Sequence, residues 1–428
     1  MKQELKLFLK GILVMLLLAM KSLPCNAIGA YGAVDFNRLT NRNGLSNSQV
    51  NAIFKDQKGY VWFGTQSGLD RFDGFRMKAF LYDDGNPNSI PNNSVDEIQQ
   101  AIDGALWIHT SVGYCIYQYD KERFDRKPEE WLKTIGVDGP PYKLLIDSKK
   151  NMWMSVYGQG IYFVDVKNMT AFLFPFSKTK SRSSLPDYQV SCIREDNGQA
   201  VVTFVNGVIC RLDGYAQQVV WMDRFILNNR LSTDHSVFTF VDSKNNYWVN
   251  TNLGIYVYHK NLKKWFVGAK GYLATFGFDV PAYPGRKVII RDMARDKQGH
   301  MWIATDHNGL IYLDYAKKIC RQFMYNPNDK GSISDNSLPE LYVDDNDALW
   351  VGTYKNGVNY YSASSTKFYT IPLGDVCTIT QDLNGNLWCG TNDAGIVVLA
   401  ALHWLFAAFC CSATANRFFN LPWRRLGV

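Results

Sequence analysis

The sequence predicts an all-β protein: a seven-bladed β-propeller of four-stranded blades, followed by the start of an incomplete second propeller. Three observations carry that expectation. A tryptophan recurs at near-constant spacing, each copy resolves into four short alternating strands, and the chain holds 12 Trp, 24 Tyr and 25 Phe in 428 residues. Flat rings pack well on a pleated surface, so the aromatic excess suits strands better than helices. The length allows one large closed architecture or two smaller domains. An apolar fraction of 46% and a charged fraction of 20% exclude a disordered or collagen-like polymer. The net charge of +7 comes with 39 acidic residues interspersed and no run of five or six basic ones. The composition therefore demands no nucleic-acid partner.

The first element, residues 1–27, reads as a secretory signal. Lys2, Lys6 and Lys10 precede an apolar stretch from Gly11 to Met20, and small residues follow at Cys25-Asn26-Ala27. Lys21 interrupts the apolar run, which argues against a membrane-spanning helix of ~20 residues. Pro24 stands where a lipoprotein site needs a small residue. The expected location is the periplasm.

The anchors of the repeat are Trp62, Trp107, Trp153, Trp248, Trp302, Trp350 and Trp388, with a degenerate copy at Val201 between the third and fourth. The mean step from Trp62 to Trp350 is about 48 residues, and a period in the forties with one Trp per unit means propeller blades. In the first copy the strands are Val50 to Lys55, Tyr60 to Thr65, Leu69 to Phe72 and Phe75 to Tyr82. An aspartate recurs six residues before the anchor at Asp56, Asp147, Asp242, Asp296, Asp344 and Asp382. A short carboxylate opening a tight turn accepts hydrogen bonds from the next backbone N–H groups, so these positions are expected to cap turns rather than bind calcium. A glycine follows each anchor, as at Gly68, Gly160 and Gly357, where a tight turn needs backbone freedom. The tryptophan is expected to wedge between adjacent blades.

Phe36 to Thr40 reads as an outermost strand that completes the last blade and closes the ring. The propeller then spans 28–374, with an eight-bladed ring as the alternative. Residues 375–399 begin a further blade, and 400–428 break the repeat. The apolar run from Ala400 to Cys411 is short for a membrane span, which favours an irregular or frame-shifted tail. Eight of the nine cysteines lie after the signal without C-x-x-C or zinc spacing, and most fall in strand-like runs as small hydrophobes. No disulfide pairing follows from spacing.

The copies are specific enough to carry a resemblance. Asn43-Gly44-Leu45-Ser46-Asn47-Ser48-Gln49-Val50, then Val61-Trp62-Phe63-Gly64-Thr65 and Gly68-Leu69-Asp70-Arg71-Phe72-Asp73-Gly74, resemble the two-component regulator propeller repeat. Ser89-Ile90-Pro91, Ser184-Leu185-Pro186 and Ser332-Ile333-Ser334 fit the same pattern ahead of innermost strands. The resemblance implies the periplasmic sensor half of a hybrid two-component system that detects glycan fragments and controls polysaccharide-utilisation genes, with a homodimer in the full-length form. Against that family this sequence lacks the second ring, sandwich, membrane helix, kinase and regulator, so a truncated sensor without kinase activity is expected.

The motif scan finds no G-x-S-x-G, Walker-type glycine loop, H-E-x-x-H or Rossmann triplet. No catalytic residue, cofactor or metal is assigned; a propeller lyase or glycosidase would need paired acid and base groups on one face. Binding is the better class. Loops before the first strand and between the second and third share one face, and their non-repeating residues are His109, Tyr157, Gln159, His235, Asp306, His307, Tyr354 and Lys355. Aromatic rings can stack on sugar faces while Lys, His and Asp bond hydroxyl or acidic groups, so an oligosaccharide is the expected ligand. The alternative is a free-standing interaction scaffold. The three histidines come from three blades, which makes a shared metal site a poor reading.

Overall fold

The computed structural model describes residues 34–177, 181–187, 189–234, 236–280, 288–362, 375–384, 386–392 and 395–399. The signal and tail readings (1–27 and 400–428), and that for His235, lie outside the described residues. One compact unit runs from Asp35 to Ser365.

Within that unit the described strands form seven four-stranded antiparallel sheets. Their innermost strands, termed A, are Val50–Lys55, Val95–Gln100, Pro141–Ile146, Val190–Asp196, Val237–Val241, Ile289–Arg295 and Leu341–Val343 for blades 1 to 7. Strands B, C and D follow outward in chain order; in blade 1 they are Val61–Thr65, Gly68–Phe72 and Met77–Phe80. Each A strand packs beside the next, and that of blade 7 packs beside that of blade 1. This is a closed seven-bladed propeller, so the eight-bladed alternative falls. Asn37–Leu39 supplies the outermost strand of blade 7, pairing antiparallel with Val358–Tyr361 as the sequence predicts. The closure is tight: at Gly357, with φ +76°, a Cβ would lie 2.1 Å from the Leu39 carbonyl oxygen.

The tryptophans wedge as expected. Trp62, Trp153 and Trp248 are fully buried, and each packs on the next blade. Trp62 stands edge-on to Tyr117 of blade 2 at 5.1 Å, Trp350 lies 5.9 Å from Phe63 of blade 1, and Trp153 shares a buried cluster with Val202 and Leu212 of blade 4.

The recurring aspartate does more than cap a turn. In blade 1 one Asp56 oxygen accepts from the backbone N–H groups of Lys58 and Tyr60, both at 2.9 Å. Its other oxygen accepts from the Trp62 indole N–H at 2.6 Å and from the Tyr119 hydroxyl of blade 2 at 2.5 Å. Asp242 repeats the arrangement with Trp248 and with Tyr315 of blade 6. These carboxylates are buried, and hydrogen bonds to a buried charge are among the stronger ones. The turn, the wedge and the neighbouring blade are thereby tied to one side chain. Blade 4 solves the loss of its tryptophan differently. Its Asp196 receives the Tyr247 hydroxyl at 2.5 Å and the Lys260 ammonium at 2.6 Å, both from blade 5.

Among the described residues, three short α-helices lie in the connections between blades: α1 (Pro128–Thr134), α2 (Phe225–Asn228) and α3 (Ala269–Thr275). They are absent from the sequence reading. Leu132, Ile226, Tyr272 and Leu273 bury into the clusters beneath them.

The further blade appears as a separate three-stranded sheet of Val376–Gln381, Leu387–Thr391 and Gly395–Leu399. It keeps the aspartate–indole bond, Trp388 to Asp382 at 2.9 Å, yet Trp388 is 37% exposed.

Candidate functional site: the propeller rim and its axial channel

Alternating strand direction puts the connections into strand A and the B–C turns on one face. On that face the A strands of blades 1, 2, 3, 4 and 6 each carry a bulge near their start. The bulge leaves Asn51, Asp96, Tyr142, Ser191 and Arg291 outside the ladder pairing. Such bulges re-aim side chains, and here Asp96 and Ser191 line the axial channel.

The structure divides the sequence-predicted residues into two groups on this face. In blades 2 and 3, His109 Nδ1 lies 2.5 Å from a carboxylate oxygen of the bulge residue Asp96, and its ring sits 4.5 Å from that of Tyr114. Tyr157 is 69% exposed, edge-on to Tyr142 at 6.3 Å. Gln159 is committed within the fold: its amide donates to the Asp138 carbonyl at 2.5 Å, and it accepts from the Tyr162 hydroxyl at 2.6 Å. In blades 6 and 7, Asp306 accepts from Arg291 at 2.5 Å and lies 2.7 Å from His307 Nδ1. Burial pushes against its charge, but Arg291 and His307 hold its carboxyl below the usual range. Ser337 joins His307 and Tyr354 through its hydroxyl and carbonyl oxygens. Lys355 lines a shallow pocket of about 340 Å³ with Arg38, Tyr325 and Asp335.

Below this face is a cavity of about 430 Å³ along the ring axis, lined by residues of all seven A strands or the residues leading into them. Glu97 comes from blade 2, Lys143 from blade 3, Arg194 from blade 4, Asp292 from blade 6, and Glu340 from the approach to blade 7. Phe54 and Phe238 add apolar wall. Glu97 accepts from the Tyr114 hydroxyl at 2.6 Å and from the Gln99 amide. Asp292 accepts from the backbone N–H of Leu341 at 3.0 Å. Burial, reinforced by the Asp292 carboxylate, pushes the Glu340 carboxyl well above its ordinary value. Burial also raises that of Asp292, while Arg194 pulls it back. Sequence reasoning missed this set because it looked for variation in loops. The available signal was charge inside innermost strands, at positions a solid core would fill with Val or Ile. Among the described residues no group of three or more His, Cys, Asp or Glu could hold a metal ion, and no helix is long and apolar enough to cross a membrane.

Residues 35–365 thus form a closed propeller with a charged axial cavity and polar and aromatic groups on the face above it. Comparison with known proteins sharpens this. The chain carries two component regulator propeller repeats, matched at residues 44–67 and 284–307. A family of unknown function, DUF6020, matches residues 367–427. No curated protein matches the chain. Among solved structures it is similar to the extracellular domain ascribed to a hybrid two component system, BT3049 of B. thetaiotaomicron, with 22% identity and a TM-score of 0.61, over 86% of this chain and 48% of that one. The corresponding domain of BT4673 from the same organism aligns at 18% identity and TM-score 0.56, over 85% and 45%. PorZ, an essential surface component of the type-IX secretion system of Porphyromonas gingivalis, aligns at 15% and 0.51, over 84% and 60%. The chain thus spans about half the length of the first two, and at these identities the likeness establishes the propeller fold.

Proposed function

We propose that this chain is the ligand-sensing, exported portion of a two-component sensor and that it recognises oligosaccharides at the propeller rim, without chemistry of its own. The observation that carries the reading is the rim itself: bulged A strands present Tyr142 beside the exposed Tyr157 on one side and the Arg291–Asp306–His307 cluster on the other. A flat ring offers a sugar a stacking face, and the charged cluster offers hydroxyl partners of both polarities. The regulator-propeller repeats and the fold shared with extracellular sensor domains support the class.

Calorimetric titration of the full chain against a panel of neutral and acidic oligosaccharides tests it. Binding by one glycan class, weakened by Tyr157→Ala, is expected. Uniform silence would favour a protein-interaction scaffold instead.

A further inference from the structure

Away from the ring axis, between blades 5 and 6, the packing leaves a cavity of about 210 Å³. It lies where the B–C turn of blade 5, the start of α3 and the first residues of the blade 6 A strand meet. Its wall is hydrocarbon: Trp248 and Ile255 of blade 5, Leu273 of α3, and Ile290, Ile303 and Ile311 of blade 6, all of them buried. The edge is apolar too. The Gly268 N–H donates to the Ile255 carbonyl at 2.8 Å, and the chain neighbours of the lining glycines Gly254 and Gly268 are Leu253 and Val267, 49% and 72% exposed. Lys270 is the single charged residue of the wall, and among the described residues no carboxylate lies within 4 Å of its ammonium.

These walls define what fits. A water needs two to four polar partners, which hydrocarbon does not supply, and a dry apolar cavity of about 150 Å³ takes up benzene. A space of about 210 Å³ therefore holds an aromatic ring with a short arm. Sugar hydroxyls would lose water here and find no partner. The exposed ammonium at the edge sets the charge of the arm. We propose that this cavity binds a small aromatic carboxylate, its ring against Trp248 and the isoleucines and its carboxylate at Lys270. The site does not rest on the reading of the rim as an oligosaccharide receptor.

The test is calorimetric titration of the full chain with phenylacetate, benzyl alcohol and benzylamine at neutral pH and low salt. Phenylacetate is expected to bind about 3- to 5-fold tighter than benzyl alcohol, the modest gain of a solvent-exposed ion pair, with benzylamine weakest. Lys270→Gln is expected to erase the preference for phenylacetate over benzyl alcohol. Ile303→Phe puts a ring of the chain's own into the space and is expected to weaken phenylacetate by at least about 10-fold. The wild-type comparison needs neither variant to fold. No saturable binding of phenylacetate, or benzylamine bound as tightly, overturns the proposal, as does a folded Ile303→Phe variant that binds like the wild type.

Discussion

Replacing Asp56 by asparagine separates turn capping from inter-blade locking. Asparagine caps a tight turn about as well as aspartate, so a purely local role predicts a change within about 0.5 kcal/mol. The structure predicts otherwise. If the asparagine oxygen serves Lys58 and Tyr60, its NH₂ group faces the Trp62 indole N–H, a donor only, which loses its acceptor at 2.6 Å, while the Tyr119 hydroxyl at 2.5 Å can turn to accept but no longer bonds a carboxylate. One hydrogen bond to a charged acceptor is lost, about 1.5–3 kcal/mol, and a second is weakened. Relief from burying a carboxylate offsets part of this, leaving a net loss of about 2 kcal/mol. Urea unfolding followed by tryptophan fluorescence measures it, with Tyr119→Phe expected to cost about 1–2 kcal/mol as the single-bond reference. Asp382→Asn provides the control, because the same bond to Trp388 is solvent-exposed there and should leave the transition unmoved. A loss under 0.5 kcal/mol for Asp56→Asn would refute the lock and restore the capping account.

Other consequences follow from the same coordinates. Gly357→Ala forces a Cβ to 2.1 Å from the Leu39 carbonyl and should detach the closing strand, lowering stability by more than about 2 kcal/mol and speeding proteolysis near residue 39. Burial pushes the Glu340 carboxyl well above its ordinary value in the folded ring, so the native state keeps its proton to a higher pH than the unfolded chain, which releases it near about pH 4.3. Its contribution to stability is therefore lost as pH rises, and Glu340→Gln should gain on the wild type in urea midpoints between pH 5 and 8; a pH-independent difference would contradict this. Burial pushes the Cys115 thiol up, and that of Cys210 to about 12, so both should resist a thiol reagent until urea unfolds the ring.

The ring was legible in the sequence because each blade repeats the same solution. Trp62, Trp153 and Trp350 fall at fixed spacing, and the segment before Thr40 reads as the missing strand of blade 7, which it is. The lock escaped notice for a physical reason. Spacing shows that Asp56 recurs six residues before Trp62, but only the pleat shows that its second oxygen points at the indole and at Tyr119 of the next blade. The short helices hid because their apolar residues, such as Leu132 and Leu273, are too few to show a helical period. The site was half visible. Loop variation led to Asp306, His307 and Tyr157, yet the same criterion selected Gln159, whose side chain serves Asp138 and Tyr162 within blade 3.

Blade 4 shows why these two kinds of departure carry different information. Val201 replaces the wedge, and the buried Asp196 is held by Arg211 of its own blade at 3.5 Å and by Tyr247 and Lys260, which reach over from blade 5. That departure is compensated within the fold, so it concerns stability. Arg194, two residues earlier on the same strand, is turned toward the cavity instead: its guanidinium donates to the Ile193 carbonyl and lies 5.5 Å over the Phe240 ring of blade 5, while Asp292, Glu97 and Glu340 act on its charge across the open space. A substitution that a neighbouring blade completes belongs to the scaffold. A charged residue that lines a cavity all seven blades surround bears instead on the proposed binding role, so Arg194 rather than Val201 is the position of blade 4 whose substitution tests that proposal.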